Sequence, residues 1–92
     1  MNVNFRGSIT KLPLGTRKVI AEQALNWDVL AILATDSHYE VRELVAKNVA
    51  TRASDLKNLK QDPVPQVRLA AAISLQKRVD QAGMPAELKL NM

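Results

Sequence analysis

The stretch Arg42-Glu-Leu-Val-Ala-Lys-Asn-Val49 decides the fold, because the same pattern of side chains occurs twice more along the chain. The other two copies are Arg17-Lys-Val-Ile-Ala-Glu-Gln-Ala24 and Arg68-Leu-Ala-Ala-Ala-Ile-Ser-Leu75. Each copy opens with arginine, has alanine four residues later, and has a small or amide side chain two residues after that alanine. The arginines at 17, 42 and 68 place the copies 25 and 26 residues apart. Self-similarity at a nearly fixed spacing of this length indicates a helical repeat.

A second element precedes the last two copies. Residues 28–36 and 55–62 are each expected to form a short helix, and each segment ends at aspartate. Each of these aspartates stands six residues before the arginine of the following copy. The predicted unit is therefore helix, aspartate, turn, arginine, helix.

Local signals place the start of the helix that contains the central copy. Ser37 followed by Glu40 matches a capping box, in which the two side chains satisfy main-chain amides of the first helical turn. Apolar side chains then recur at three- and four-residue spacing from Val41 onward. We therefore expect a helix from about Tyr39 to Ala50.

Composition favours a core made of closely packed helices. The 92 residues suit one domain, and 47% of them are hydrophobic, yet only Phe5, Trp27 and Tyr39 are aromatic. The core must therefore use Ala, Val, Leu and Ile. Glycine occurs three times and proline four times, mostly near the ends or at junctions, so the predicted helices contain few breakers.

Several classes of protein are excluded by what the chain lacks. Cysteine is absent, which excludes disulfides, thiolate metal sites and cysteine nucleophiles. We find no signal-peptide pattern, and no apolar run approaches the roughly 20 residues that a membrane span needs. We therefore expect a cytoplasmic protein with no membrane partner. Thirteen Lys and Arg against nine Asp and Glu give a net charge of +4, which permits nucleic-acid binding without requiring it.

From Thr16 to about Arg78 the pattern resembles HEAT-like repeats, and the unit of about 26 residues resembles the shorter leucine-rich repeat variant, which also pairs short helices. In the HEAT family, an aspartate in the inter-helix turn and an arginine at the start of the second helix form a ladder between successive units. The positions that match this structural ladder are Asp36, Arg42, Asp62 and Arg68. Arg17 matches as well, but no aspartate precedes it at the corresponding place, so the first unit is a half-repeat. The leucine-rich repeat variant also carries a cysteine cluster, which this chain lacks, so no redox role is carried over.

The resemblance implies an all-α fold, namely a short right-handed α-solenoid of about two and a half HEAT-like helical repeats in a single domain. Residues 1–15 are expected to form an N-terminal cap, residues 16–78 the repeats, and residues 79–92 a C-terminal cap or tail. A solenoid unit buries its apolar face only against its neighbours, so about three units are usually needed for stability. We expect the chain either to cap its own ends as a monomer or to form a homodimer through an apolar end.

No catalytic, cofactor-binding or metal-binding constellation is predicted. His38 is the only histidine, and it falls in the expected inter-helix turn with no second histidine or cysteine to complete a metal site. The hydroxyl side chains lack a predicted base to activate them, and the glycines are too scattered to cradle a phosphate. We therefore expect a protein that is not an enzyme and needs no cofactor.

The leading functional prediction is a module that binds another protein, because solenoids present extended surfaces. Two sets of residues are candidates for the partner-binding surface. The first set lies on successive second helices and comprises Glu43, Lys47, Gln66, Leu69, Ser74 and Lys77. The second set is a basic face on the second full repeat and comprises Arg52, Lys57 and Lys60.

Two alternative functions remain open. The basic face would suit a nucleic-acid backbone, and some HEAT-like proteins, including the alkylpurine DNA glycosylases, follow DNA with such a surface. Those enzymes are far longer, and no base-excision pocket can be placed in this chain. The other alternative is a structural subunit that completes a larger assembly.

Two residue types have both a structural and a binding interpretation. The repeated arginines would either form the ladder or line a stripe for carboxylates and phosphates. We favour the ladder, because arginine and aspartate recur as spaced pairs and arginine suits bidentate pairing. Trp27 would either be buried or serve as a binding anchor, and we expect burial because one such ring adds a large apolar area to a small core.

Overall fold

The described part of the chain is built from helices. A computed structural model describes residues 5–82, which contain six helices and no strand. The helices are α1 (Phe5–Thr10), α2 (Leu14–Gln23), α3 (Trp27–Leu33), α4 (Tyr39–Lys47), α5 (Ala53–Leu59) and α6 (Pro65–Ala82). The predicted all-α class is therefore confirmed for these residues. The expected caps include residues 1–4 and 83–92, which lie outside the described part.

α4 lies between α2 and α6 in the packing of the helices. α4 packs against both α2 and α6, and these three helices contain the three copies of the repeated segment. α3 contacts α2 and α4, α5 contacts α4 and α6, and α1 packs against α3. The molecule measures 52 × 33 × 19 Å, and its thinnest dimension accommodates about two helices, each roughly 10 Å across. This arrangement brings the repeated segments side by side.

Small side chains allow the helices to approach closely. Ala21 on α2 and Ala46 on α4 hold the same place in the repeated segment, and both are completely buried. Larger aliphatic side chains fill the space around them, and those that are fully buried include Leu30, Leu33, Leu56, Val41, Val45 and Val67. The third alanine of the set, Ala72, is only partly buried, because no further helix of the described residues covers that side of α6.

Two helix boundaries differ from expectation. The helix predicted to reach Ala50 ends at Lys47, because the backbone of Asn48 is extended. The Asn48 side chain bonds to the carbonyl oxygen of Ala21 and accepts the Ala50 N–H. Conversely, α6 continues to Ala82, beyond the predicted end of the repeats near Arg78. The third copy therefore lies in a helix of 18 residues, twice the length of the nine-residue α4.

Candidate functional site

Two arginine–aspartate ion pairs connect successive copies of the repeat. Arg17 Nε donates to Asp36 Oδ2 at 2.8 Å, and Arg42 Nε donates to Asp62 Oδ2 at 2.7 Å. A second guanidinium nitrogen faces the other carboxylate oxygen in each pair. The aspartate side chains are only 3% and 6% exposed. Each bond joins the start of one second helix to the inter-helix turn of the following unit.

The same aspartates also shape their own turns. Asp36 Oδ1 accepts the His38 N–H at 2.9 Å, and Asp62 Oδ1 accepts the Val64 N–H at 2.9 Å. The predicted capping box of Ser37 and Glu40 is wrong, because no side-chain cap bond is made to α4 and Ser37 Oγ lies 3.2 Å from His38 Nδ1 instead. His38 precedes α4 instead and makes no side-chain cap bond to it. One carboxylate therefore closes a turn and binds the preceding unit.

The second ion pair changes the proton affinity of both partners. Burial alone would raise the pKa of Asp62, but hydrogen bonds from Arg42 and the Val64 N–H, with the charges of Arg42 and Arg68, lower it below its ordinary value. The hydrogen bond to Asp62 raises the pKa of Arg42 despite an opposing effect of burial. The pair therefore favours the charged form of both groups.

Arg68 occupies the third arginine position but makes no salt bridge to an acidic side chain in the described residues. Arg42 Nη1 donates to the carbonyl oxygen of Asp36, six residues earlier, and Arg68 Nη1 donates in the same way to the carbonyl oxygen of Asp62. Arg68 also reaches the carbonyl oxygen of Pro63 at 3.0 Å. Its guanidinium is thus held by main chain alone, and the residue is exposed.

A second repeated contact involves the positions six residues after Arg42 and Arg68. Asn48 Nδ2 donates to the carbonyl oxygens of Ala21, Glu22 and Ala24 at the end of α2. Ser74 Oγ donates to the carbonyl oxygen of Ala46 in α4. Both side chains therefore satisfy carbonyls near the C-terminus of the preceding second helix, where helical partners run out. The sequence singled out the position but not this role.

A groove between α4 and α6 brings together much of the first predicted binding set. One part of it is lined by Lys47, Asn48, Val49, Ser74, Lys77, Arg78 and Gln81. An adjoining part is lined by Lys47, Ala70, Ile73, Ser74 and Lys77. Three predicted binding residues, Lys47, Ser74 and Lys77, line both parts. The groove is rimmed by cations and has apolar side chains within it.

The remaining members of that set surround the groove. Glu43 lies one turn before Lys47 and pairs with its Nζ at 3.2 Å. Gln66 is exposed at the start of α6 and falls on the same helical stripe as Ile73 and Lys77, because these residues are seven and four apart. Leu69 is exposed on a neighbouring stripe of α6.

Arg78 joins this site although the sequence interpretation did not name it as a binding residue. It lines the groove, and its Nη2 donates to the carbonyl oxygen of Val49 at 2.9 Å. The available signal was its spacing of four residues from Ser74, which places both on one face of a helix.

The second predicted set does not form one free basic face. Arg52 pairs with Asp55 at 3.0 Å and stacks over the ring of Trp27 at 4.2 Å from its centroid. Lys57 and Lys60 are exposed and make no ion pair within the described residues. The free charge of this set therefore belongs to the two lysines.

The expected burial of Trp27 is wrong. The residue is 51% exposed and lies at the first position of α3. One face of its ring is covered by the Arg52 guanidinium, a contact that sequence spacing does not reveal because it joins the start of α3 to the residue that precedes α5.

The side chains around His38 are of the types found in hydrolase active sites, but their geometry is different. His38 Nδ1 lies 3.0 Å from Arg17 Nη2, 3.2 Å from Ser37 Oγ and 3.6 Å from Asp36 Oδ1. A nucleophilic triad needs serine and aspartate on opposite ring nitrogens. Here all three neighbours face the same nitrogen, and the arginine can only donate to it. The side chains around His38 therefore fit a structural turn that is held by the Arg17–Asp36 ion pair.

Three further findings bear on function. Within residues 5–82, no group of three or more His, Asp or Glu side chains is placed to hold a metal ion. No helix in that range combines the length and apolar character that crossing a membrane requires. Comparisons of the chain with family models, with curated proteins and with solved structures gave no match.

Proposed function

We propose that the chain is a non-catalytic module that binds another protein, built as a short right-handed α-solenoid of HEAT-like repeats. The repeated bonds support this architecture, because Arg17 and Arg42 make equivalent ion pairs to the next unit. Asn48 and Ser74 make equivalent bonds to the previous one. The repeats occupy residues 16–78 of one domain, with terminal segments at either end.

The groove between α4 and α6 is the observation that carries the binding proposal. Lys47, Lys77 and Arg78 give it a positive rim, while Ile73 and the almost fully exposed Val49 give it apolar surface. Such a mixture suits a protein segment in which acidic side chains stand next to an apolar one, because the charges select the segment and the apolar contact retains it.

The use of the polar side chains supports a non-catalytic role. The hydroxyls of Thr35, Thr51 and Ser74 all donate to main-chain carbonyls within hydrogen-bonding distance. His38 Nδ1 faces the Arg17 guanidinium, so this nitrogen is poorly placed to take a proton from a nucleophile. These groups stabilise turns and helix ends.

A nucleic-acid backbone is the alternative partner, favoured by the net charge of +4 and by Lys57 and Lys60, which make no ion pair within residues 5–82. Backbone binding through several cations weakens steeply as salt rises. Stacking of bases would need an accessible aromatic face, and Arg52 covers one face of Trp27.

Selection from a library of random linear peptides tests the proposal with the full chain. We expect enrichment of sequences that combine Asp or Glu with an apolar residue. A variant carrying Lys47→Glu and Lys77→Glu should bind the selected peptides at least about tenfold more weakly, because it reverses the rim charge. The matched control carries Lys57→Glu and Lys60→Glu, which changes the net charge equally, and should retain binding.

Two outcomes would contradict the proposal. One is that both double variants lose peptide binding equally, which would indicate attraction by net charge alone. The other is that no peptide is enriched while fluorescent DNA or RNA binds at low salt, is released at higher salt, and is lost in the Lys57/Lys60 variant.

A further inference from the structure

Arg78 differs from the other two cations at the rim of the groove between α4 and α6, because its side chain is held in place. Its Nη2 donates to the carbonyl oxygen of Val49 at 2.9 Å, and the residue is partly buried. Lys47 and Lys77 are exposed, and the Lys47 ammonium already pairs with Glu43 at 3.2 Å. The Arg78 side chain has therefore lost much of its rotational freedom before any partner binds.

The guanidinium of Arg78 keeps hydrogen-bonding capacity for a partner. It has five N–H donors, and the Val49 carbonyl takes one of them. It makes no salt bridge to an acidic side chain within residues 5–82. Two parallel N–H groups of a guanidinium match the two oxygens of a carboxylate, whereas a lysine ammonium acts as a point charge. Arg78 is therefore the rim cation best suited to select a carboxylate.

Val49 supplies apolar surface beside the same guanidinium. The residue is 89% exposed, although its carbonyl oxygen binds Arg78. Covalent geometry keeps the methyl groups of a valine within about 5 Å of its own carbonyl oxygen, so they lie no more than about 8 Å from Arg78 Nη2. A charged donor and an exposed apolar side chain therefore lie next to each other at this end of the groove.

The end of α4 disfavours a doubly charged ligand at this place. Lys47 is the last residue of α4, and the C-terminus of a helix carries a partial negative charge. Glu43 adds a negative charge at the rim. Both repel a phosphate dianion about twice as strongly as they repel a carboxylate at the same distance. The electrostatic surroundings therefore favour a carboxylate over a phosphate group.

We infer that Arg78 binds a carboxylate of the partner segment through two parallel hydrogen bonds, while Val49 receives an apolar side chain two residues away in that segment. In an extended chain, side chains two residues apart point to the same side and are about 7 Å apart, which fits the separation of the two groups. This assignment rests on the proposed function and specifies the partner. The partner is an extended segment in which one residue separates Asp or Glu from an apolar residue.

Four libraries of ten-residue peptides test the spacing with the full chain. In each library, one aspartate and one leucine are fixed one, two, three or four residues apart, and all other positions are random. The chain should enrich the two-residue spacing most strongly, because that spacing places both side chains on one side of an extended segment. Stronger enrichment of another spacing would overturn the placement of the apolar side chain on Val49.

A peptide from the enriched pool, and its copy with asparagine in place of the aspartate, test the role of Arg78. Fluorescence anisotropy should show that the asparagine peptide binds the unmodified chain at least about tenfold more weakly, because a charge-assisted pair is lost. Arg78→Lys keeps the charge and should weaken the aspartate peptide by a similar factor. It should change the affinity of the asparagine peptide by less than about twofold, because that peptide never made the lost bonds.

Arg68→Lys is the matched control. Arg68 is also an arginine of α6 that main-chain carbonyls hold, but it lies outside the groove. Its replacement should leave the affinity for both peptides unchanged. Circular dichroism should show the same helix content for the two variants and the unmodified chain.

Three results would overturn the assignment to Arg78 and leave the proposed function standing. They are equal weakening of both peptides by Arg78→Lys, no weakening of either peptide, and tighter binding when phosphoserine replaces the aspartate. In each of these cases the variant with Lys47→Glu and Lys77→Glu would still lose the peptide. If no peptide from any library binds the unmodified chain, the assignment and the proposed function fail together.

Discussion

Arg42 Nε lies 2.7 Å from Asp62 Oδ2, and this contact joins the first turn of α4 to the turn that precedes α6. The carboxylate is 6% exposed, so solvent contributes little to balancing its charge. The bond is therefore a structural link between two units of the repeat.

Arg42→Ala should destabilise the protein by about 3 kcal/mol, because it leaves a buried carboxylate without its partner. Urea denaturation followed by circular dichroism would measure the loss. Arg68→Ala is the matched control, and it should cost less than about 1 kcal/mol because that residue is exposed and bonds only to main chain. Equal losses in the two variants would contradict the structural role of Arg42.

Asn48→Ala should cost about 2 kcal/mol, because it removes the donor to three carbonyls of the preceding unit and the acceptor of the Ala50 N–H. Thermal unfolding would measure the shift. Asn58→Ala, at an exposed position of α5, should change stability by less than about 0.5 kcal/mol. If Asn58→Ala lost as much stability as Asn48→Ala, the stabilising role of the Asn48 contacts would be contradicted.

The Asp62 carboxylate should make the free energy of unfolding depend on pH in the acid range. Its pKa is lower in the folded state than the ordinary value of about 3.9, so the folded state binds this proton less readily than the unfolded state. The stabilisation is fully present above the ordinary pKa and is lost as pH falls through the folded-state pKa.

Comparison of the unmodified chain with Asp62→Asn would isolate this effect. The difference in unfolding free energy should be constant above about pH 5 and should shrink toward about pH 2. Asp28→Asn gives the baseline for loss of an exposed carboxylate. A difference that grows as pH falls would contradict the direction of the Asp62 shift.

Arg52→Ala should uncover one face of the Trp27 ring, because the guanidinium lies over it at 4.2 Å. Acrylamide should then quench the fluorescence of this single tryptophan more strongly. Stability should fall by only about 0.5–1 kcal/mol, as is typical of an exposed cation–π contact. Lys57→Ala is the control in the same segment and should leave quenching unchanged.

The repeat can be predicted from the sequence because it is carried by single residues at fixed spacing. Arg17, Arg42 and Arg68 each take the place in the fold that their common pattern indicates. Their bonding partners are less accessible to sequence reasoning. Arg17 has no preceding aspartate, and its partner Asp36 belongs to the next unit, so only three-dimensional packing identifies the pair.

The groove between α4 and α6 is predicted only in outline. The sequence indicates Lys47, Ser74 and Lys77 because successive second helices are expected to share a face, and these residues do line one groove. Exposure of Trp27 cannot be predicted, because the favourable alternative to burial is a contact with Arg52, which precedes α5 and is 25 residues away in the sequence. The capping prediction fails because Ser37 has the right spacing, but its hydroxyl lies against the His38 ring and caps no amide of α4.

Because one carboxylate serves both its own turn and the preceding helix, a gain in length keeps both contacts most readily when a whole unit is added. Asp36 and Asp62 are 26 residues apart, and so are Arg42 and Arg68. Duplication of the 26 residues from Ser37 to Asp62 would supply another arginine and another aspartate at the same separation. An insertion of several residues between Arg42 and Asp62 would move the acid relative to that arginine, although its bond to the Val64 amide, two residues away, would remain. Genetic variation in this chain should therefore tolerate the gain of whole units better than insertions of several residues between a paired arginine and aspartate.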